Sequence, residues 1–299
     1  MKNKIYISVL IIFILTNILY SYQMHLLNGP TAIGGLKMIH DYKNIDIKII
    51  NSPENMLSSI VKGEADIAAI PANMAAIIFN RKLQYKAAAV VSETKLFIVS
   101  ANMEIQTIND LKNKTIYCGS KLATPDLMLQ YLISKERIQN VNINYSFSNP
   151  DLAKAVASKN ADIAILPEPF LSSAMLENKD VHIVVEMSKY IDNYPVAILI
   201  VKNSFINQNK YLLNEILDEY QKSTYYVLNN KNEIENLLKK SSMIINPKAA
   251  TYGLNRMGIT FYSGAKMIFA LNNYYNFIYN FDKKLIGGKI PSDDFYYVN

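Results

Sequence analysis

A stretch of 27 residues occurs twice in this chain, and that repeat constrains its fold more than any other feature. Residues 45–71 (IDIKIINSPENMLSSIVKGEADIAAIP) align without a gap with residues 141–167 (VNINYSFSNPDLAKAVASKNADIAILP), each position 96 residues from its counterpart. Ile47, Ser52, Ala65, Asp66, Ile67, Ala68 and Pro71 recur as Ile143, Ser148, Ala161, Asp162, Ile163, Ala164 and Pro167. Self-similarity at one fixed offset means one supersecondary unit built twice.

Both copies have the same physical grammar. A β-rich run with alternating polarity (Ile45 to Ile50; Val141 to Phe147) predicts a half-buried strand. A helix start follows, with Ser52 capping and Pro53 at the first helical position, and with Asn149 capping before Pro150. Met56, Leu57, Ile60 and Val61 form an apolar stripe at helical spacing, matched by Leu152, Ala153, Val156 and Ala157. Gly63 ends the first helix and Asn160 is expected to end the second. The runs Ala65 to Ile70 and Ala161 to Leu166 lack alternation, as strands buried on both faces do. Asp66 and Asp162 stand at the starts of those strands and read as structural ties.

A strand–loop–helix precedes each copy, at residues 24–42 and 114–136. Each half is therefore β-α-β-α-β, which predicts an α/β fold of two lobes, each a mainly parallel sheet covered by helices. Leu96 to Ser100 and Val196 to Val201 are expected to be paired crossover strands forming the hinge. Helix-compatible spacings at Tyr211–Asn229, Lys231–Ser242, Pro247–Met257 and Ser263–Phe277 would complete the first lobe. The expected division is 22–97 plus 200–299 for lobe 1 and 98–199 for lobe 2.

Residues 1–21 have the pattern of a signal peptide. Lys2 and Lys4 precede an apolar run from Val9 to Leu19, and Ser21 is a suitable small residue before a cut. A retained anchor is the alternative reading, but the run is short for a membrane span. The pattern implies an exported, periplasmic protein, and the lack of a cysteine near the cut argues against a lipid anchor. The net charge of +6 forms no basic stripe, so nucleic acid is not an expected partner. Three histidines and one cysteine give no basis for a metal site or a cofactor. Cys118 reads as a small inert residue, since no histidine is near it in sequence. No catalytic residue is nominated, and a monomer is expected.

Ligands of open parallel sheets bind outside the carboxyl ends of the strands. Two such lobes would face each other across one cleft, which nominates Asn28, Gly29, Pro30, Thr31 and Asn73 on lobe 1, and Ser120, Thr124 and Glu168 on lobe 2. Thr31 and Thr124 stand at helix starts, where hydroxyls and unpaired N–H groups can grip oxygen-rich groups or simply cap the helix. Gly29 answers either a turn with positive φ or a close approach of ligand to backbone. Glu168, between two prolines, is either a ligand contact or one half of an ion pair across the lobes. None of the three arginines falls in these loops, which weakens the case for a strongly anionic ligand and leaves neutral, zwitterionic and amine-bearing ones open.

The segments LNGPTAIG (27–34), GEADIAAIPANMA (63–75), TIYCGSKLATPD (115–126), ADIAILPEPF (161–170) and GGKIPSDDFYY (287–297) together resemble the ABC transporter substrate-binding proteins of the nitrate/sulfonate/taurine type, a group that includes thiamine-precursor binders. The resemblance implies a type II periplasmic-binding-protein fold with two hinge strands, a small-molecule ligand between the lobes and docking onto a membrane permease. It implies the same cleft positions: Gly29, Pro30, Thr31, Asn73, Thr124 and Glu168. Enzyme-like members of the thiamine-precursor branch carry a cysteine-rich motif with histidines; this chain, with a single cysteine, lacks that motif. The alternatives are an enzyme on the same fold and a solute sensor without a transport role.

Overall fold

The computed structural model describes residues 22–298 apart from residues 120, 122, 123 and 244. The expected signal segment lies outside the described residues.

The first part of the chain builds β1 (Gln23–Leu27), α1 (Pro30–Gly34), α2 (Leu36–Asp41), β2 (Asp46–Ile50), α3 (Pro53–Val61), β3 (Ile67–Pro71), α4 (Ala72–Asn80) and β4 (Tyr85–Glu93). The second repeat copy lies within β5 (Leu96–Ser100), β6 (Thr115–Cys118), α5 (Thr124–Lys135), β7 (Asn142–Asn144), α6 (Asn149–Ala157), β8 (Ile163–Pro167), α7 (Phe170–Glu177) and β9 (His182–Glu186). The chain closes with β10 (Pro195–Lys202), α8 (Asn203–Gln208), α9 (Lys210–Asn229), α10 (Lys231–Lys240), α11 (Pro247–Gly253), β11 (Ile259–Tyr262) and α12 (Gly264–Asp282).

Two sheets result. One has the order β11-β4-β10-β3-β1-β2, the other β7-β6-β8-β5-β9. The repeat units supply the parallel part of each: β2 and β3 flank β1, and β7 and β8 flank β6. The sheets are mixed rather than simply parallel, because β10 returns antiparallel between β3 and β4, and β5 runs antiparallel between β8 and β9. The runs expected to pair as crossover strands lie in different sheets. Where the chain crosses between lobes, Thr94 donates both its N–H (2.8 Å) and its hydroxyl (3.0 Å) to the Tyr194 carbonyl.

The repeat survives bond by bond. Helix α3 closes with Lys62, Gly63 and Glu64 N–H groups on the carbonyls of Ser58, Ile60 and Ser59. Helix α6 closes with Ser158, Lys159 and Asn160 on Lys154, Val156 and Ala155, the same positions 96 residues on. Gly63 has φ +72° and its counterpart Lys159 has φ +63°, so Lys159 rather than Asn160 takes the left-handed position. Likewise Ser148, not Asn149, is the N-cap of α6, matching Ser52. Asp66 accepts from the Gln23 N–H (3.0 Å) and its own N–H donates to the Gln23 carbonyl, tying the starts of β1 and β3.

Helices pack on both faces of each sheet. Helix α9 shows how: Leu213, Ile216, Leu217, Tyr220, Ser223, Thr224 and Val227 form its buried face. Tyr220 donates to the Thr31 carbonyl (2.6 Å) and Ser223 to the Gly34 carbonyl (2.8 Å), which seats α1 and fixes the loop after β1. The last residues return to lobe 1, where the Tyr297 N–H donates to the Ala87 carbonyl on β4.

Candidate functional site

A cleft of about 710 Å³ opens between the two sheets. Its lobe 1 wall comes from the loops after β1 (Asn28, Gly29, Pro30) and β2 (Asn51) and from Ile245 and Asn246 before α11. Its lobe 2 wall comes from the first turns of α6 (Pro150, Ala153, Lys154) and from Glu168, Pro169 and α7. These are the carboxyl ends of β1, β2 and β8, where parallel strand topology puts a ligand, and the volume suits a small organic molecule. Phe170, Leu176 and Ile245 give the cleft apolar surface, and Asn28, Asn51 and Asn246 give it carboxamides.

The eight nominated residues divide. Asn28, Gly29, Pro30 and Glu168 line this cleft. Asn73 and Thr124 line a smaller cavity of about 190 Å³ with Pro71, Met74, Leu127 and Tyr274. The Tyr274 hydroxyl, whose pKa burial raises, is hydrogen-bonded to Thr124 there. Thr31 is buried, and its hydroxyl donates to the Leu27 carbonyl (2.6 Å). Ser120 lies outside the described residues. At Gly29, φ is +125° and a Cβ would meet nothing within 4 Å, so the turn and not crowding demands glycine.

Glu168 contributes to the wall, but its side chain is wholly out of solvent. One carboxylate oxygen accepts from Arg256 Nε (2.7 Å) and the Ser172 hydroxyl (2.9 Å), the other from the Ser172 N–H (3.0 Å). Arg256 also donates from Nη2 to the Ser172 hydroxyl (3.0 Å), and its guanidinium lies 5.3 Å from the centre of the Tyr252 ring. Glu168 follows β8 of lobe 2, whereas Arg256 follows α11 of lobe 1. Of the two readings of Glu168, the ion pair is the one present. The backbone comes very near it: a Cβ on Gly253 would lie 2.4 Å from a Glu168 carboxylate oxygen and 2.5 Å from Ser172 Oγ.

Sequence reasoning missed Arg256, Ser172, Lys154 and Asn246. Ser172 stands four residues after Glu168 across a helix start, a spacing that signals a local bond. Arg256 is 88 residues away, and no local pattern points to it. Asn246 caps α11 by accepting from the Ala249 N–H (3.1 Å), which holds it beside the cleft.

Two lobes joined by two crossings, with strand ends facing one cleft, define a solute-receptor architecture. The same fold occurs in the crystal structure of an ABC transporter from Parabacteroides distasonis (TM-score 0.79, 21% identity, covering 93% of this chain and 99% of that one). It occurs in the periplasmic aliphatic sulphonate binding protein SsuA from Escherichia coli (TM-score 0.70, 15% identity, 87% of each chain). The alkanesulfonate-binding protein SsuA from Xanthomonas axonopodis pv. citri, bound to MOPS, also shares it (TM-score 0.65, 13% identity, 89% of this chain and 94% of that one). No curated protein matches the chain significantly. The model of the ABC transporter phosphonate periplasmic substrate-binding protein family matches residues 40–203, and the chain belongs to that family. It is an ABC transporter substrate-binding protein, which captures a ligand for an importer.

Proposed function

We propose that the 710 Å³ cleft is where this protein holds its solute, outside the cytoplasm, before delivering it to a membrane permease. The observation that carries this reading is the convergence of three strand ends from two lobes on one cavity, with carboxamides beside an apolar wall. The matched family is described by phosphonate, and two structural neighbours by sulfonate. Lys154 supplies a positive charge to the wall and Glu177 a negative one. The lining suits an organic solute with an apolar body against Phe170, Leu176 and Ile245 and a hydrogen-bonding head at Asn28, Asn51 and Asn246.

Binding without chemistry is favoured by the state of Glu168, the one acid that the strand-end loops nominate. Its oxygens are engaged by Arg256 and Ser172, away from a reacting molecule. No described helix is long and apolar enough to cross a membrane. A monomer released by removal of residues 1–21 fits this role.

Native mass spectrometry of the freshly purified protein, followed by calorimetry with alkylphosphonates, alkylsulfonates and neutral or amine-bearing solutes, tests the reading. One solute is expected to bind with a 1:1 ratio, and Phe170→Ala and Asn246→Ala are expected to weaken it. Binding that neither substitution affects would place the solute elsewhere and overturn the proposal.

A further inference from the structure

Glu168 and Arg256 meet across the gap between lobes with a completeness that surface ion pairs lack. The carboxylate accepts three hydrogen bonds, one of them from the guanidinium of the opposite lobe. Ser172 joins both partners, since its hydroxyl donates to Glu168 and accepts from Arg256. Helix α11 carries Gly253 to within contact of this group and packs on α7. Gly253 has φ −88°, an ordinary value for any residue, so glycine here answers lack of room between lobes and not backbone conformation.

We propose that Glu168, Ser172 and Arg256, with Gly253 as the point of closest approach, form a latch that holds the two lobes in the register of this structure independently of solute. Glu168 is then a positioning residue: its carboxylate faces Arg256, while the residue itself and Pro169 form part of the cleft wall. The physical basis is geometric: a carboxylate wholly out of solvent meets a part-exposed guanidinium and a hydroxyl that joins both, so removing either charge leaves the other group without its partner, and only one register satisfies all three. Because the pair joins one residue of each lobe, it biases how the lobes sit together instead of stabilising either lobe by itself. A solute then needs less differential affinity to complete closure. That last consequence rests on the cleft being the binding site; the latch itself does not.

The test measures lobe separation with no solute added. With Cys118 replaced by serine, one cysteine is introduced at an exposed position on each lobe. Pulsed electron paramagnetic resonance then gives the distance distribution in dialysed protein. The unsubstituted latch is expected to give mainly the short distance. Glu168→Gln and Arg256→Gln are each expected to lower the short-distance fraction relative to the long one by about tenfold. The double variant should be no worse than either single one, because both remove the same interaction. Gly253→Ala, which leaves every charge in place, is expected to give the long distance too. Arg256→Lys should restore part of the short one. Distributions that stay unchanged in the two glutamine variants overturn the latch, as do shifts that add in the double variant. If a glutamine variant fails to fold, Gly253→Ala and Arg256→Lys carry the test, and an unchanged distribution in both overturns it. If no solute ever binds, the cleft reading fails while the distances still decide the latch.

Discussion

The positions of Gly29 and Gly253 favour glycine for opposite reasons. Gly29 has φ +125° with open space around its missing Cβ, whereas Gly253 has an unstrained backbone and no space. Gly29→Ala should therefore cost roughly 1–3 kcal/mol through backbone strain, read as a lower denaturant midpoint with an unchanged slope. His25 makes a second residue-level prediction. It is buried in β1, its Nδ1 lies 2.7 Å from Ser59 Oγ, and its Nε2 is buried without a partner. Burial, and secondarily the charge of Lys48, lowers its pKa below the usual 6.5. The unfolded chain then takes up a proton before the folded one does, so stability is unaffected above pH 6.5 and falls as pH drops below it. The loss is at most about 1.4 kcal/mol per pH unit until the folded pKa is reached. Melting temperature measured from pH 7.5 to 5 should decline less steeply in His25→Gln; an identical slope would show that other groups carry the acid sensitivity.

At the level of elements, the two repeat helices differ at one cap. Ser52 accepts from the Asn55 N–H (3.2 Å), whereas the Ser148 hydroxyl donates to the Asp151 carboxylate (2.5 Å) and makes no such cap bond. Ser52→Ala should cost about 1 kcal/mol and Ser148→Ala clearly less, by denaturant titration; equal losses would mean that the cap bond is not what separates them. The same pair of helices shows what was legible in the sequence. The alignment at an offset of 96 residues puts Ser148 and Lys159 opposite Ser52 and Gly63, and the structure obeys it. Residue preference alone pointed to Asn149 and Asn160 and missed by one position each time, because a helix bound at both ends by packing overrides the taste of its terminal residues. Strand β4 went unseen because its centre is Ala87-Ala88-Ala89, which carries no β-branched or aromatic signal although β10 and β11 enclose it on both sides. Cleft loops at strand ends followed from topology. The division of the nominated residues between two cavities did not, and neither did the Glu168–Arg256 pair, since both depend on how the lobes meet.

For the whole molecule, strand order matters more than sequence order. β10 enters the first sheet between β3 and β4 after the chain has completed the second sheet. Lobe 2 is therefore an insertion into lobe 1, and the two should differ in autonomy. The second sheet takes every strand from residues 96–186, and its helices bury two apolar clusters, one around Ile98, Leu129 and Ile165, the other around Phe97, Leu152 and Leu166. Residues packed from outside meet it along one side: Tyr131 meets Phe277 of α12 edge-on at 5.1 Å, Tyr194 stacks on the same ring, Leu127 reaches into a lobe 1 cluster, and α11 with Arg256 packs on α7 beside Glu168. A fragment covering residues 94–194 keeps β5 whole, loses nothing from its own sheet, and exposes mainly Leu127, Tyr131, Tyr194 and the Glu168 carboxylate with the face of α7 beside it. The fragment 22–93 keeps β1 to β4 but lacks the strand that joins β3 to β4, leaving β4 without a neighbour and the alanine-rich centre of the sheet open to water. The expected result is a cooperative urea transition with native-like far-ultraviolet circular dichroism for residues 94–194, and no transition for residues 22–93 alone. Adding a second fragment from residue 195 onward should restore structure to the first, because it returns β10 to its place. Two fragments that fold equally well, or a 94–194 fragment that stays unfolded, would show that each lobe depends on the contact between them, and the hinge would then be a weaker boundary than its strand order implies.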